Sequence, residues 1–193
     1  GRIDGMIFET NAVMGVGLPS ELWLRDWLKK VKYTEIPDNA FNKNSITSVT
    51  IPKNIKKIEL NQYQDVDTVV FEKGSKLENF EDIKWFKNVK YLVLPDCFRE
   101  IKFSILYPFT SVLYIYIPSS YKYIYKDFQY MQSLTYIEFE RNEKDYKLPL
   151  RISDNGISHL KSLKGIILPY GVENILKSTF FNCESLEDVI LPN

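Results

Sequence analysis

The 193-residue chain holds one histidine and two cysteines, and its 25 Lys and Arg residues are balanced by 25 Asp and Glu residues. Each shortage narrows the range of functions. Without an excess of positive charge, the chain lacks the electrostatic pull that brings proteins onto phosphate backbones or anionic lipid. No nucleic acid partner is therefore expected. The longest apolar run, Val112 to Ile117, is six residues, whereas a membrane-spanning helix needs about 20. The chain does not open on a basic segment followed by an apolar stretch, so it shows no signal peptide pattern. No Asn is followed by x-Ser or x-Thr, which removes N-glycosylation acceptors.

Catalytic and metal chemistry are equally under-supplied. His159 stands alone just ahead of the Leu160 to Leu163 turn, and a zinc site needs several His, Cys or carboxylate ligands at matched spacing. It reads as a surface or turn histidine. No GxSxG, HExxH or phosphate-binding loop occurs, and Gly15-Val16-Gly17 is too short to act as one. The adjacent acids Glu81-Asp82 and Glu187-Asp188 read as solvated positions rather than a glycosidase pair. The chain is expected to be non-enzymatic, with no cofactor and no metal.

What the chain does have is a block that recurs about every 23 residues: ITSVTIP from Ile46, VKYLVLP from Val89, VLYIYIP from Val112, LKGIILP from Leu163 and LEDVILP from Leu186. Numbered from its first apolar anchor, the block starts at Ile46, Val66, Val89, Val112, Leu134, Leu163 and Leu186, with gaps of 20, 23, 23, 22, 29 and 23. Positions +3 and +5 are apolar in all seven units: Val49, Val69, Leu92, Ile115, Ile137, Ile166 and Val189, then Ile51, Phe71, Leu94, Ile117, Phe139, Leu168 and Leu191. Alternation with period two sends both to one face of a strand, so each coil contributes a short parallel strand to one ladder. Self-similarity at this period marks a solenoid, in which each unit buries its apolar face only against its neighbours.

The residue before each anchor is a turn former: Ser45, Asp65, Asn88, Ser111, Ser133, Ser162 or Ser185. Proline follows at +6 in five units, as Pro52, Pro95, Pro118, Pro169 and Pro192, and ends the strand because it has no N–H to donate. A further apolar position at +12 (Ile58, Ile101, Ile124, Ile175) fits a chain returning along an opposite wall. The 29-residue gap holds ERNEKDYKLPLRISDNG between Phe139 and Ile157, whose charge and Pro and Gly content read as a solvated loop. Cys97 and Cys183 lie four coils apart; at about 4.8 Å per ladder step they are separated by roughly 19 Å, beyond the ~7 Å reach of a disulfide. They are not expected to pair.

The pattern changes before Ile36. IDGMIFE and NAVMGVGLP suggest a hairpin, and Ser20 N-caps a helical run in which Leu24, Trp27, Leu28 and Val31 share a face. Residues 1–35 thus read as an N-terminal hairpin and helix capping element, and residues 36–193 as the repeat array. The array stops one residue after a strand and its proline, so it is expected to be truncated at its C-terminal end, or covered there by a homotypic contact.

IPDNAFNKNSITSVTIPKNIKKI, from Ile36 to Ile58, and STFFNCESLEDVILP near the C-terminus carry a resemblance to BspA-type, or Treponema pallidum-type, leucine-rich repeats, whose unit runs roughly I-G-x-x-A-F-x-x-C-x-x-L-x-x-I-x-I-P-x-x-V-x-x-I. The opening IDGMIFETNAVMGVGLP is similar to the hairpin insert such proteins carry. The resemblance implies a leucine-rich repeat solenoid of about seven coils, with one ladder of short parallel strands and an irregular or short-helical opposite wall. It also implies a cell-surface or secreted protein acting in adhesion, with no catalytic residue to carry over.

Positions +2 and +4 point away from the core. In three consecutive coils they read Tyr91 with Val93, Tyr114 with Tyr116, and Tyr136 with Glu138. Tyrosine combines wide contact area and a polar handle with little entropy loss on binding. Val70, Ile167 and Ile190 lie on the same face. These residues are the candidate binding surface for a protein or extracellular-matrix partner. Stacking between neighbouring strands is the competing explanation. A structural spacer or self-assembling array, and a carbohydrate-binding platform, are the alternative functions.

Overall fold

The computed structural model describes residues 34–36, 47–60, 65–101, 103–126, 128–141 and 149–192. The hairpin and helix expected before residue 34 lie outside this set. In chain order the strands are β1 (Glu35–Ile36), β2 (Ser48–Ile51), β3 (Lys57–Ile58), β4 (Thr68–Phe71), β5 (Tyr91–Val93), β6 (Tyr114–Ile117), β7 (Tyr123–Ile124), β8 (Tyr136–Phe139), β9 (Arg151–Ile152), β10 (Gly165–Ile167) and β11 (Asp188–Ile190).

Every block legible in the sequence supplies one strand to a seven-stranded parallel sheet, in the order β2-β4-β5-β6-β8-β10-β11. The register places all the +3 residues opposite one another, from Val49 through Val69, Leu92, Ile115, Ile137 and Ile166 to Val189. From Val49 to Ile166 this row is 0–2% exposed. A slip of one residue would turn the whole apolar row to solvent, which is why the register is uniform. At the β11 edge Val189 and Leu191 are 39% and 51% exposed.

Four coils enter their strands through a tight turn of one kind. The anchor N–H donates to the carbonyl three residues earlier: Val89 to Phe86 (3.1 Å), Leu134 to Met131 (3.0 Å), Leu163 to Leu160 (3.1 Å) and Leu186 to Cys183 (3.2 Å). Phe86, Phe109, Met131 and Leu160, each three residues before an anchor, are fully buried. Cys183 holds that place in the last coil, where its Sγ donates to the Ile157 carbonyl (3.0 Å) and burial pushes the thiol pKa up. Both cysteines are free thiols.

The opposite wall is assembled from different pieces: the two-residue pairs β1–β3 and β7–β9, a 3-10 helix (Phe80–Phe86), the single-turn helix α1 (Phe103–Leu106), and isolated bridges Glu100 to Tyr123 and Leu150 to Val172. Ile58, Ile101 and Ile124 are buried there as the spacing predicts. Ile175 is not, at 43% exposure. Its coil meets the wall earlier: the Leu150 N–H donates to the Gly171 carbonyl (2.7 Å), and Glu173 donates back to Leu150 (3.0 Å).

Two further expectations are corrected. The segment read as a solvated loop contains β9, which pairs with β7 and buries Leu150 and Ile152 against the core. Asp82, read as solvated, is 8% exposed and accepts the Ile58 N–H at 2.8 Å. A helix replaces the strand in that coil, so the β3 backbone donor at Ile58 is satisfied by a side chain. Burial pushes this carboxyl up from its ordinary value.

The two units without proline at +6 have a physical explanation. Glu72 and Glu140 stand there, and their N–H groups donate to Ile51 (3.0 Å) and Ile117 (2.9 Å), adding a ladder bond that proline cannot make. Their carboxylates then accept the turn N–H of the coil before, Lys53 (3.2 Å) and Ser119 (3.0 Å) respectively.

Candidate binding surface

Strand alternation sets the outer face as firmly as the inner one. Tyr91, Tyr114 and Tyr136 lie opposite one another on β5, β6 and β8, and Val93, Tyr116 and Glu138 form the adjoining row. The structure thus brings all six predicted residues together on one side of the sheet. Tyr91 and Tyr136 are each 48% exposed, and the other four are half-buried.

The row is held by specific contacts. The Tyr91 and Tyr114 rings are tilted by 40° with centroids 6.5 Å apart. The Tyr114 Oη donates to Glu138 Oε2 at 2.6 Å, joining the two rows diagonally. Burial, aided by this carboxylate, holds the Tyr114 phenol well above its ordinary pKa, so Tyr114 stays a donor. Burial raises Tyr116 as well, with Glu140 and Glu138 adding to the effect.

Tyr136 has a seat that strand spacing alone did not reveal. Its neighbour in register on β10 is Gly165, where an added Cβ would lie 2.8 Å from Cε1 and 2.9 Å from Cδ1 of the ring. Glycine inside a strand marks a close approach, here by an aromatic ring leaning across the sheet. The Gly at +2 was the available signal.

Lys73 and Glu140 close the surface at the strand ends. They follow β4 and β8, with β5 and β6 between them, and pair at 2.7 Å. Burial alone would raise the Glu140 carboxyl, but the Lys73 ammonium and the Ser119 N–H outweigh it and hold the pKa below 4.5. At the strand starts, Lys90 pairs with Asp67 at 2.8 Å. Beyond β8, Arg141 donates to the carbonyls of Leu168 (3.0 Å), Ile190 (3.2 Å) and Leu191 (3.0 Å), tying the ends of β10 and β11 together. Separations of 67 residues for Lys73 and 49 or 50 for Arg141 put these pairs beyond local pattern reading.

His159 sits in a left-handed turn (φ 63°), its Nδ1 3.2 Å from Asn182 Nδ2 and its ring edge-on to Phe181 at 5.5 Å. Among the described residues no group of three or more His, Cys, Asp or Glu is placed to hold a metal ion. No helix among them is long and apolar enough to cross a membrane.

Comparison with known proteins adds the family. Among solved structures, the chain is similar to a leucine rich cell surface protein from Faecalibacterium prausnitzii A2-165, with 16% identity and a TM-score of 0.39, covering 81% of this chain and 51% of that one. This chain therefore spans about half the length of that protein. No curated protein matches the sequence significantly. The family described as BspA type leucine rich repeat region matches residues 34–147 and 150–193 in six copies. With the ladder, its buried columns and this match in agreement, the chain belongs to the BspA-type leucine-rich repeat family.

Proposed function

We propose that this chain is a non-enzymatic adhesion module, displayed at a cell surface or secreted, that binds a protein or matrix partner through the outer strand face centred on Tyr114. One observation carries the reading. Three consecutive coils present tyrosine at +2, two of them with rings half open to solvent, on a face that the solenoid does not need to be aromatic. Contiguous exposed aromatic surface is what protein interfaces favour. The carbonyl and amide groups of the central strands are already paired within the ladder, so the contact is made by side chains.

The test is binding of the purified chain to immobilised collagen, laminin and fibronectin, alongside a glycan array. Saturable binding to a protein, with no glycan hit, supports the reading. Glycan hits without protein binding would shift it to a carbohydrate platform. Light scattering across a concentration series on the same sample tests the self-assembling alternative, and a strictly monomeric species counts against that one.

A further inference from the structure

Charge on the outer face is not evenly matched. Two of its flanking carboxylates have cations: Asp67 pairs with Lys90 at 2.8 Å and Glu140 with Lys73 at 2.7 Å. Glu138, in register with Tyr116, holds the Tyr114 hydroxyl on its Oε2, and among the described residues no cation pairs with it. Asp188, exposed on β11, likewise has no ion pair among them. Glu138 thus lacks a counter-charge two residues along β8 from Tyr136, on the same face, where the Tyr136 ring is 48% exposed and leans over Gly165.

From this juxtaposition we infer that the face receives an arginine side chain of a partner protein, its guanidinium paired with Glu138 and laid against the Tyr136 ring. A planar, weakly hydrated guanidinium suits both neighbours at once: it forms charge-assisted hydrogen bonds to a carboxylate and stacks on an aromatic face. An ammonium satisfies the carboxylate and is drawn to the ring as a point charge but has no planar face to lay against it, and a neutral planar group stacks but leaves Glu138 without a counter-charge. The inference rests on the adhesion reading and names the chemistry of its contact.

The experiment titrates three capped tripeptides, acetyl-Gly-X-Gly-amide with X as arginine, lysine or citrulline, into the chain carrying labelled tyrosine rings. The arginine peptide is expected to shift the Tyr136 and Tyr114 ring signals and to bind more tightly than the other two. Glu138→Gln, which can still accept the Tyr114 hydrogen bond, should weaken it about tenfold, the worth of one charge-assisted hydrogen bond. Raised salt should weaken the arginine peptide on the wild-type chain and leave citrulline unaffected. Equal binding of arginine and citrulline, or unchanged binding to Glu138→Gln, overturns the inference. The same variant is then applied to whichever matrix protein binds the wild-type chain. Normal binding by Glu138→Gln with loss in Tyr114→Ser removes the arginine contact and leaves the adhesive face standing; unchanged binding by both removes both.

Discussion

The two faces of the ladder obey different rules although they alternate along the same strands. Inward, the +3 and +5 positions from Val49 to Leu168 are all apolar and no more than 3% exposed. Outward, the +2 positions run Ser48, Thr68, Tyr91, Tyr114, Tyr136, Gly165 and Asp188, a sequence with no common size, polarity or charge. Burial leaves the inner columns almost no freedom, since each side chain must fill space against its neighbours above and below. The outer columns escape that demand. Aromatic residues gathered in three successive outer positions are therefore informative about function in a way that Ile115 or Leu92 is not.

The largest effect that separates the faces is expected at Ile115, which is fully buried in the middle of the sheet. Ile115→Ala should cost about 4 kcal/mol, because ordered strands on both sides limit collapse around the cavity. Urea unfolding would show it as a lowered midpoint. A cost within 1 kcal/mol would mean that the inner column is loosely packed.

Asp82 comes next, since it satisfies a backbone donor on the opposite wall. Asp82→Ala leaves the Ile58 N–H unpaired, at about 2 kcal/mol. Burial also gives a pH signature. The folded-state pKa is raised above the ordinary 3.8, so the folded chain binds this proton more tightly than the unfolded one. Asp82 therefore contributes a loss of stability as pH rises from 3.8 through the raised value. Unfolding free energies of wild type and Asp82→Asn across the acid range should differ in slope in that window; parallel curves would remove Asp82 as the cause.

Gly165→Ala sharpens the outer face. The new Cβ must displace the Tyr136 ring, which is free to swing toward solvent, so the expected cost is about 1 kcal/mol with a clear shift of the Tyr136 ring signals. An unmoved ring would mean that Gly165 is not its seat. The smallest effect belongs to Tyr91→Ser, about 0.5 kcal/mol, because the ring is 48% exposed and meets Tyr114 only at a tilted 6.5 Å.

The ladder and the six-residue outer cluster were readable from the sequence because both follow from a fixed coil length and period-two alternation. Features that depend on a partner in another coil were not. Asp82 has the look of a surface acid until a 3-10 helix presents it to β3. Leu150 and Ile152 sit in a charged segment whose composition hides a two-residue strand, the alternation being too short to register. Glu72 and Glu140 read as lapses from proline, yet each does two jobs, extending the ladder and holding the turn before it. Ile175 kept the spacing of its column but not the burial, since Val172 reached the wall first.

The separation of a structural inner face from a binding outer face is tested most directly by Tyr91→Ser, Tyr114→Ser and Tyr136→Ser combined, assayed for unfolding and for matrix-protein binding on the same preparation. The account predicts an intact β-sheet spectrum, a stability loss of no more than about 2 kcal/mol, and abolished binding. Binding retained at wild-type affinity would contradict it.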